Sequence, residues 1–202
     1  DLVAQKHYPY PFTQRDVMEW LPTLVGDVPF DFLHASPPCQ AHTQAKHLRK
    51  AQGKESRFDD LLTPFLAWLQ SEPRDFPWVV ENVPGAPGME NAITLCGSSF
   101  GLGVQRHRLF LSNVPLKSLP CDHASFEVDP VSGKPRPYGI YYAPGDNIPN
   151  GGRTARNAEH GNQLMGVTRD EIVPWNSLKE GLPPAYTKGI GGQIMENLLD
   201  RW

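Results

Sequence analysis

The stretch Phe30-Asp31-Phe32-Leu33-His34-Ala35-Ser36-Pro37-Pro38-Cys39 decides how this chain is read. Its first six residues form a short, largely apolar run that predicts a buried strand. Pro37 and Pro38 then forbid further ladder bonds, because neither carries a backbone N–H. A cysteine thus stands on a rigid turn at a strand's end. Outward from this point the rhythm repeats. Leu61, Leu62, Phe65, Leu66 and Leu69 recur at helical spacing and predict an amphipathic helix over 58–70, with Pro64 expected to kink it. Trp78-Val79-Val80 predicts a second strand, stopped by Asn82-Val83-Pro84-Gly85. Residues 93–96 predict a third strand and Leu109-Phe110-Leu111 a fourth. Strand, helix, strand in this order implies an α/β layer with a mainly parallel sheet. Such sheets place their sites beyond the carboxyl ends of the strands, so Cys39 and Glu81 are both expected just past strand ends, on one rim.

Composition bounds the function. The chain has 202 residues, 39% of them hydrophobic, which suits one domain with a small insertion. No apolar run approaches the ~20 residues a membrane helix needs, and the polar start has no signal-peptide character. Three scattered cysteines, Cys39, Cys96 and Cys121, do not make a disulfide framework. Start and chemistry together predict a cytoplasmic protein. A formal net charge of −3 argues against a histone-like non-specific binder but leaves room for a local basic surface. Lys46, Arg49, Lys50, Lys54 and Arg57 form such a stretch with one acid, Glu55, among them; standing alone, it would be an ordinary solvated face. From 115 to 162 the periodicity dissolves into Pro, Gly, Asn and Tyr, with one strand predicted over 138–142. That segment reads as an irregular insertion. Residues 190–202 predict a closing helix.

Three sets of residues carry chemistry. Cys39 is a reactive nucleophile if its setting is exposed and electropositive, or an inert buried thiol if not. Glu81 suits an acid, or a partner for a base edge, as well as a plain surface carboxylate. Arg106 and Arg108 are two apart at a strand start, so both point to one face; they suit a phosphate or a polarised carbonyl, or merely a soluble edge. Cys121 and His123 form a Cys-x-His pair, but zinc needs about four ligands and no partner pair stands at the usual spacing; the two are read as structural.

Taken together, Ser36-Pro37-Pro38-Cys39-Gln40, Glu81-Asn82-Val83 and Arg106-His107-Arg108 resemble, in order, the nucleophile, acid and arginine motifs of the cytosine-C5 DNA methyltransferase family. Thr168-Arg169-Asp170-Glu171 resembles the motif that ends the family's insertion. The run from Gly181 to Gln193, with Gly191-Gly192-Gln193, resembles the closing stretch beside the cofactor. Gln14-Arg15-Asp16-Val17 resembles the turn that meets the adenine. The turns resemble those of phage-encoded members. The chain departs at Val104, where the arginine motif usually has Gln and the glutamine here is Gln105. It also lacks the family's opening strand and Phe-x-Gly-x-Gly loop. Unpaired neighbours of a central strand would cost ~1–3 kcal/mol per orphaned group. An amino-terminal segment, or another chain, is therefore expected to supply that loop.

The resemblance implies a Rossmann-like, S-adenosylmethionine-dependent sheet. Residues 1–114 and 163–202 would be catalytic, and 115–162 a small target-recognition insertion. The catalytic residues would be Cys39, Glu81, Arg106 and Arg108, with no metal. Asp1, Asp16, Val17, Pro37, Gly191 and Gln193 would line the cofactor. Double-stranded DNA would meet Gln40, Lys46, Arg49, Lys50, Lys54 and Arg57 on a mobile loop. In the insertion, Arg136, Tyr138, Tyr141, Asn147, Arg153 and Arg156 would read sequence. The setting would be a bacterial or phage-infected cell. Two alternatives share these residues: a related cytosine-modifying enzyme with another donor or a tRNA substrate, and a catalytically dead DNA-binding subunit.

Overall fold

The computed structural model describes residues 3, 4, 8, 10–24, 31–42, 59–140, 153–168 and 172–199. Helix α1 spans Val17–Leu24 and strand β1 Leu33–Ala35. Helix α2 is Leu62–Gln70. Strands β2 (Trp78–Asn82), β3 (Ile93–Leu95) and β4 (Arg108–Ser112) follow. A two-stranded sheet, β5 (Tyr138–Gly139) with β6 (Arg153–Thr154), precedes helices α3 (Ala158–Leu164), α4 (Trp175–Leu178) and α5 (Pro184–Leu199). Among the described residues no helix is long and apolar enough to cross a membrane.

The main sheet has the order β1-β2-β4-β3 and is mixed, which corrects the expectation of a mainly parallel one. β1 and β2 run parallel, with Leu33 opposite Trp78. β4 is antiparallel to both of its neighbours, pairing Glu81 with Phe110 and Leu95 with Arg108. The reason lies in the connections. The β1–β2 link carries α2, the crossover a parallel pair needs. The β3–β4 link is residues 96–107, whose only regular turn is a 3-10 turn over Gly97–Phe100, so β4 returns alongside β3.

Alternation along the strands divides the core. Trp78, Val80 and Leu111 pack on α2 through Leu62, Phe65, Leu66 and Leu69, joined by Leu21 of α1. Val79 and Phe110 face the other way, onto Tyr186, Ile190 and Ile194 of α5. The sheet is thus covered on both faces, with helix α5 starting at Pro184, several residues before the predicted closing helix.

Pro64 lies in the first turn of α2, where backbone N–H groups have no intrahelical acceptor, so the expected interior kink is not needed. Asp60 serves that turn instead. Its Oδ1 accepts from the N–H of Leu62 at 3.0 Å and of Thr63 at 3.1 Å. The small sheet docks on the β3–β4 connection, where the Tyr138 N–H donates to the Gly103 carbonyl at 2.9 Å. Val104, Ile140, Met165 and Leu178 form a third, smaller core there.

Candidate functional site

Cys39 stands four residues beyond β1, as the proline turn predicts. Glu81 does not lie past a strand: it is the fourth of β2's five residues, buried at 7% exposure. The parallel pairing explains how they meet. It carries the end of β1 alongside the end of β2, and Asn82 clamps the turn by donating from Nδ2 to the Pro37 carbonyl at 3.0 Å. The other end of the Asn82 amide accepts from the Val83 N–H at 2.9 Å. Asn82 is 1% exposed, with one end of its amide on the turn and the other on the Val83 N–H.

Glu81 and Arg108 share one face of the sheet, since Glu81 follows the parity of Val79 and Arg108 that of Phe110. Arg108 Nε lies 3.0 Å from Glu81 Oε1, and both side chains are 9% exposed. Arg108 also donates to the His107 carbonyl at 2.9 Å. Arg106 is buried, and its Nη2 donates to the Lys179 carbonyl at 2.9 Å. Its own carbonyl accepts from the buried Tyr186 hydroxyl at 2.6 Å. Arg106 is therefore bound to the α4–α5 region, while Arg108 belongs to the Glu81 pair.

Burial pushes the Glu81 carboxyl above the usual carboxylate range; Arg108, a hydrogen bond from Ser36 and Arg106 pull the other way but do not cancel it. Burial likewise pushes the Cys39 thiol up, Arg108 opposing and Glu81 adding to the rise. Cys39 is half-buried and packs against the α2-side core. The setting thus favours the resting thiol. Behind the turn, the His42 N–H donates to the Cys39 carbonyl at 2.9 Å, and His42 Nε2 lies 2.9 Å from Asp60 Oδ1. The Cys39 turn is thereby tied to the start of α2.

Other expected residues fall elsewhere. Asp16 caps α1, its Oδ1 accepting from the Met18 N–H at 2.8 Å, and Val17 opens that helix at 44% exposure. Gln193 is engaged at both polar ends by the Lys117 backbone, Oε1 accepting at 2.6 Å and Nε2 donating at 3.3 Å. Gly191 has open space where a side chain would project. Gln40 is exposed beside Cys39. In the insertion, Arg136 lies 3.3 Å from Asp129, and Arg153 lies 3.1 Å from Glu127. Arg153 also covers the Tyr138 ring at 4.1 Å and bonds its hydroxyl, while Arg156 is exposed. Asp1, Lys46, Arg49, Lys50, Lys54, Arg57, Tyr141, Asn147, Arg169, Asp170 and Glu171 lie outside the described residues.

Sequence reasoning gave no role to Asn82, Ser36, His42 or Asp60, which set the position of Cys39 and Glu81. Asn82 and Ser36 had a signal, their places inside the Glu81 and Cys39 motifs. No family model matches the chain, and no curated protein matches it.

Proposed function

We propose that this chain carries the catalytic part of a cytosine-C5 DNA methyltransferase, with Cys39 as nucleophile. The observation that supports it best is the meeting of Cys39, Glu81, Arg108 and Arg106 at one end of the sheet, from three separate segments. A parallel β1–β2 pair with helices on both faces is also what a Rossmann-like sheet requires.

The target cytosine is shielded in the stack, so it has to leave the duplex before Cys39 reaches C6. The thiol proton passes to solvent and the sulfur bonds to C6, opening the C5=C6 double bond and pushing its electron pair into the ring, so that C5 becomes nucleophilic. Glu81, whose carboxyl burial pushes above the usual carboxylate range, hydrogen-bonds N3 and the exocyclic amine, stabilising charge at the ring. Arg108 fixes the Glu81 carboxylate and presents its remaining donors to O2. Arg106 ties the site to the Lys179 carbonyl. Once C5 carries the new group, water takes the C5 proton, the C5=C6 double bond re-forms, and Cys39 leaves C6 as the thiolate.

Of the described candidates for S-adenosylmethionine, Asp16 and Gly191 fit: the first has a carboxylate oxygen beyond its capping contact, the second leaves open space. Gln193 does not, because Lys117 engages both of its polar ends. When bound, this cofactor would supply an electrophilic methyl group.

The test is covalent trapping. The full chain is incubated with S-adenosylmethionine and duplex DNA carrying 5-fluorocytosine, whose fluorine cannot leave as a proton does. An SDS-stable adduct that Cys39→Ala abolishes is expected. No adduct on DNA overturns the reading, and an adduct on tRNA alone moves it to the RNA alternative.

A further inference from the structure

Four side chains outside the Cys39 site converge without any part in that chemistry. Cys96, His107, Cys121 and His123 each offer one ligand atom, and all four atoms lie within 4.8 Å of one another. They come from separate segments. Leu95 and Arg108 form the last rung of the β3–β4 ladder, so Cys96 and His107 face each other one step beyond it. Cys121 and His123 arrive from the segment that opens the insertion. Two cross contacts knit the pairs: Cys96 Sγ lies 3.4 Å from His123 Nε2, and Cys121 Sγ lies 3.4 Å from His107 Nε2.

The geometry points to a structural zinc site of two thiolates and two imidazoles. Zinc–sulfur and zinc–nitrogen bonds of about 2.3 and 2.0–2.1 Å at tetrahedral angles put a sulfur and a nitrogen about 3.5 Å apart. The two observed S···N distances of 3.4 Å match that spacing. Two sulfurs would be about 3.8 Å apart and two nitrogens about 3.3 Å, both inside the 4.8 Å envelope. Softness selects the metal: thiolate with imidazole in a tetrahedral set suits zinc, whereas magnesium and calcium require oxygen. Outer contacts orient the ligands. Ser98 Oγ donates to Cys96 Sγ at 3.3 Å and accepts from the Asp122 N–H at 3.1 Å. Phe126 stacks on His123 with ring centroids 5.6 Å apart. Gly97 is required beside Cys96, because a β-carbon there would stand 2.1 Å from the Val104 carbonyl oxygen. Binding balances simply: two thiols lose their protons to solvent, and the divalent ion neutralises the two thiolates. The ion would pin the root of the insertion to the strand that starts at Arg108.

The full chain is purified without chelator and its metal content measured by plasma mass spectrometry. About one zinc per chain is expected. After removal of the metal, cobalt(II) should give the intense visible bands of a tetrahedral site with a thiolate-to-cobalt band. Cys121→Ser and His123→Ala, whose circular dichroism confirms folding, should lose the metal, while Cys39→Ser keeps it. Ser98→Ala should weaken zinc binding about 10-fold. The site is overturned by a metal-free protein that gives no tetrahedral cobalt spectrum. It is equally overturned by metal retained in the Cys121→Ser/His123→Ala double variant, or by a Cys96–Cys121 disulfide in freshly purified protein. Each readout is independent of methyl transfer.

Discussion

At the scale of single residues, the setting of Cys39 favours the protonated thiol. Burial and the neighbouring Glu81 hold the thiol above its ordinary value, against Arg108. Alkylation of Cys39 by iodoacetamide in the free protein should therefore rise with pH at values above those of an ordinary thiol. Glu81→Gln removes a like charge and should move that curve down; Arg108→Met removes the opposing charge and should move it up. A curve indifferent to both changes would mean that the charges do not reach the sulfur. Glu81 makes a second, thermodynamic prediction. Its folded carboxyl titrates above the unfolded value of about 4.3. The native state thus gains stability from the bound proton below that value and loses it as pH rises through the folded value. Urea unfolding should show this loss in the native protein and not in Glu81→Gln. Removing Arg108 is harsher, because it strands a buried carboxylate; about 3–5 kcal/mol of stability should go with it.

At the scale of elements, what the sequence made legible depended on whether the signal was local. Trp78-Val79-Val80 and Leu109-Phe110-Leu111 are apolar runs bounded by turn residues, and both are strands. Their relative direction was not legible, because an apolar run looks the same in either sense and only the lack of a crossover helix over 96–107 turns β4 around. Motif order put Cys39, Glu81 and Arg108 forward together, and they lie close enough for their charges to act on one another. The Cys96–His107–Cys121–His123 cluster was not legible, because ten and thirteen residues separate its members and the register of β3 on β4 closes the gap. Asp60 was hidden for a related reason: the helix predicted over 58–70 puts it inside the first turn, whereas the helix starts at Leu62 and leaves Asp60 ahead of it. Its carboxylate accepts from two N–H groups at the start of α2 and also meets His42. Asp60→Ala should cost about 1 kcal/mol in thermal or urea unfolding, as lost caps do. It should also lower trapping by Cys39, since His42 loses its anchor behind the turn. Asp60→Asn, which keeps an accepting oxygen, should restore most of the stability.

At the scale of the whole molecule, the mixed sheet divides labour between its two faces and its outer lobe. Among the described residues, the α2 face and the α5 face bury separate clusters that share no side chain. The lobe built on β5 and β6 holds its cations close. Arg153 is paired with Glu127 and laid over Tyr138, and Arg136 is paired with Asp129. With a formal net charge of −3, the chain has no excess of cations to attract a polyanion unselectively. If this lobe meets DNA, each such pair has to exchange its carboxylate for a phosphate. Glu127 is the informative position, because it is exposed and its carboxyl, held low by hydrogen bonds from Tyr138 and Arg153, stays ionised at neutral pH. Glu127→Gln removes the competing charge while preserving a hydrogen-bond acceptor for Tyr138. Duplex binding should tighten, and the slope of log affinity against log salt should steepen by about one ion for the freed Arg153. Arg153→Gln should do the reverse, weakening binding and flattening the slope by a similar amount. Fluorescence anisotropy over a salt series reads both. Unchanged slopes in the two variants would take this lobe off the DNA and leave Arg153 as a brace between Glu127 and Tyr138.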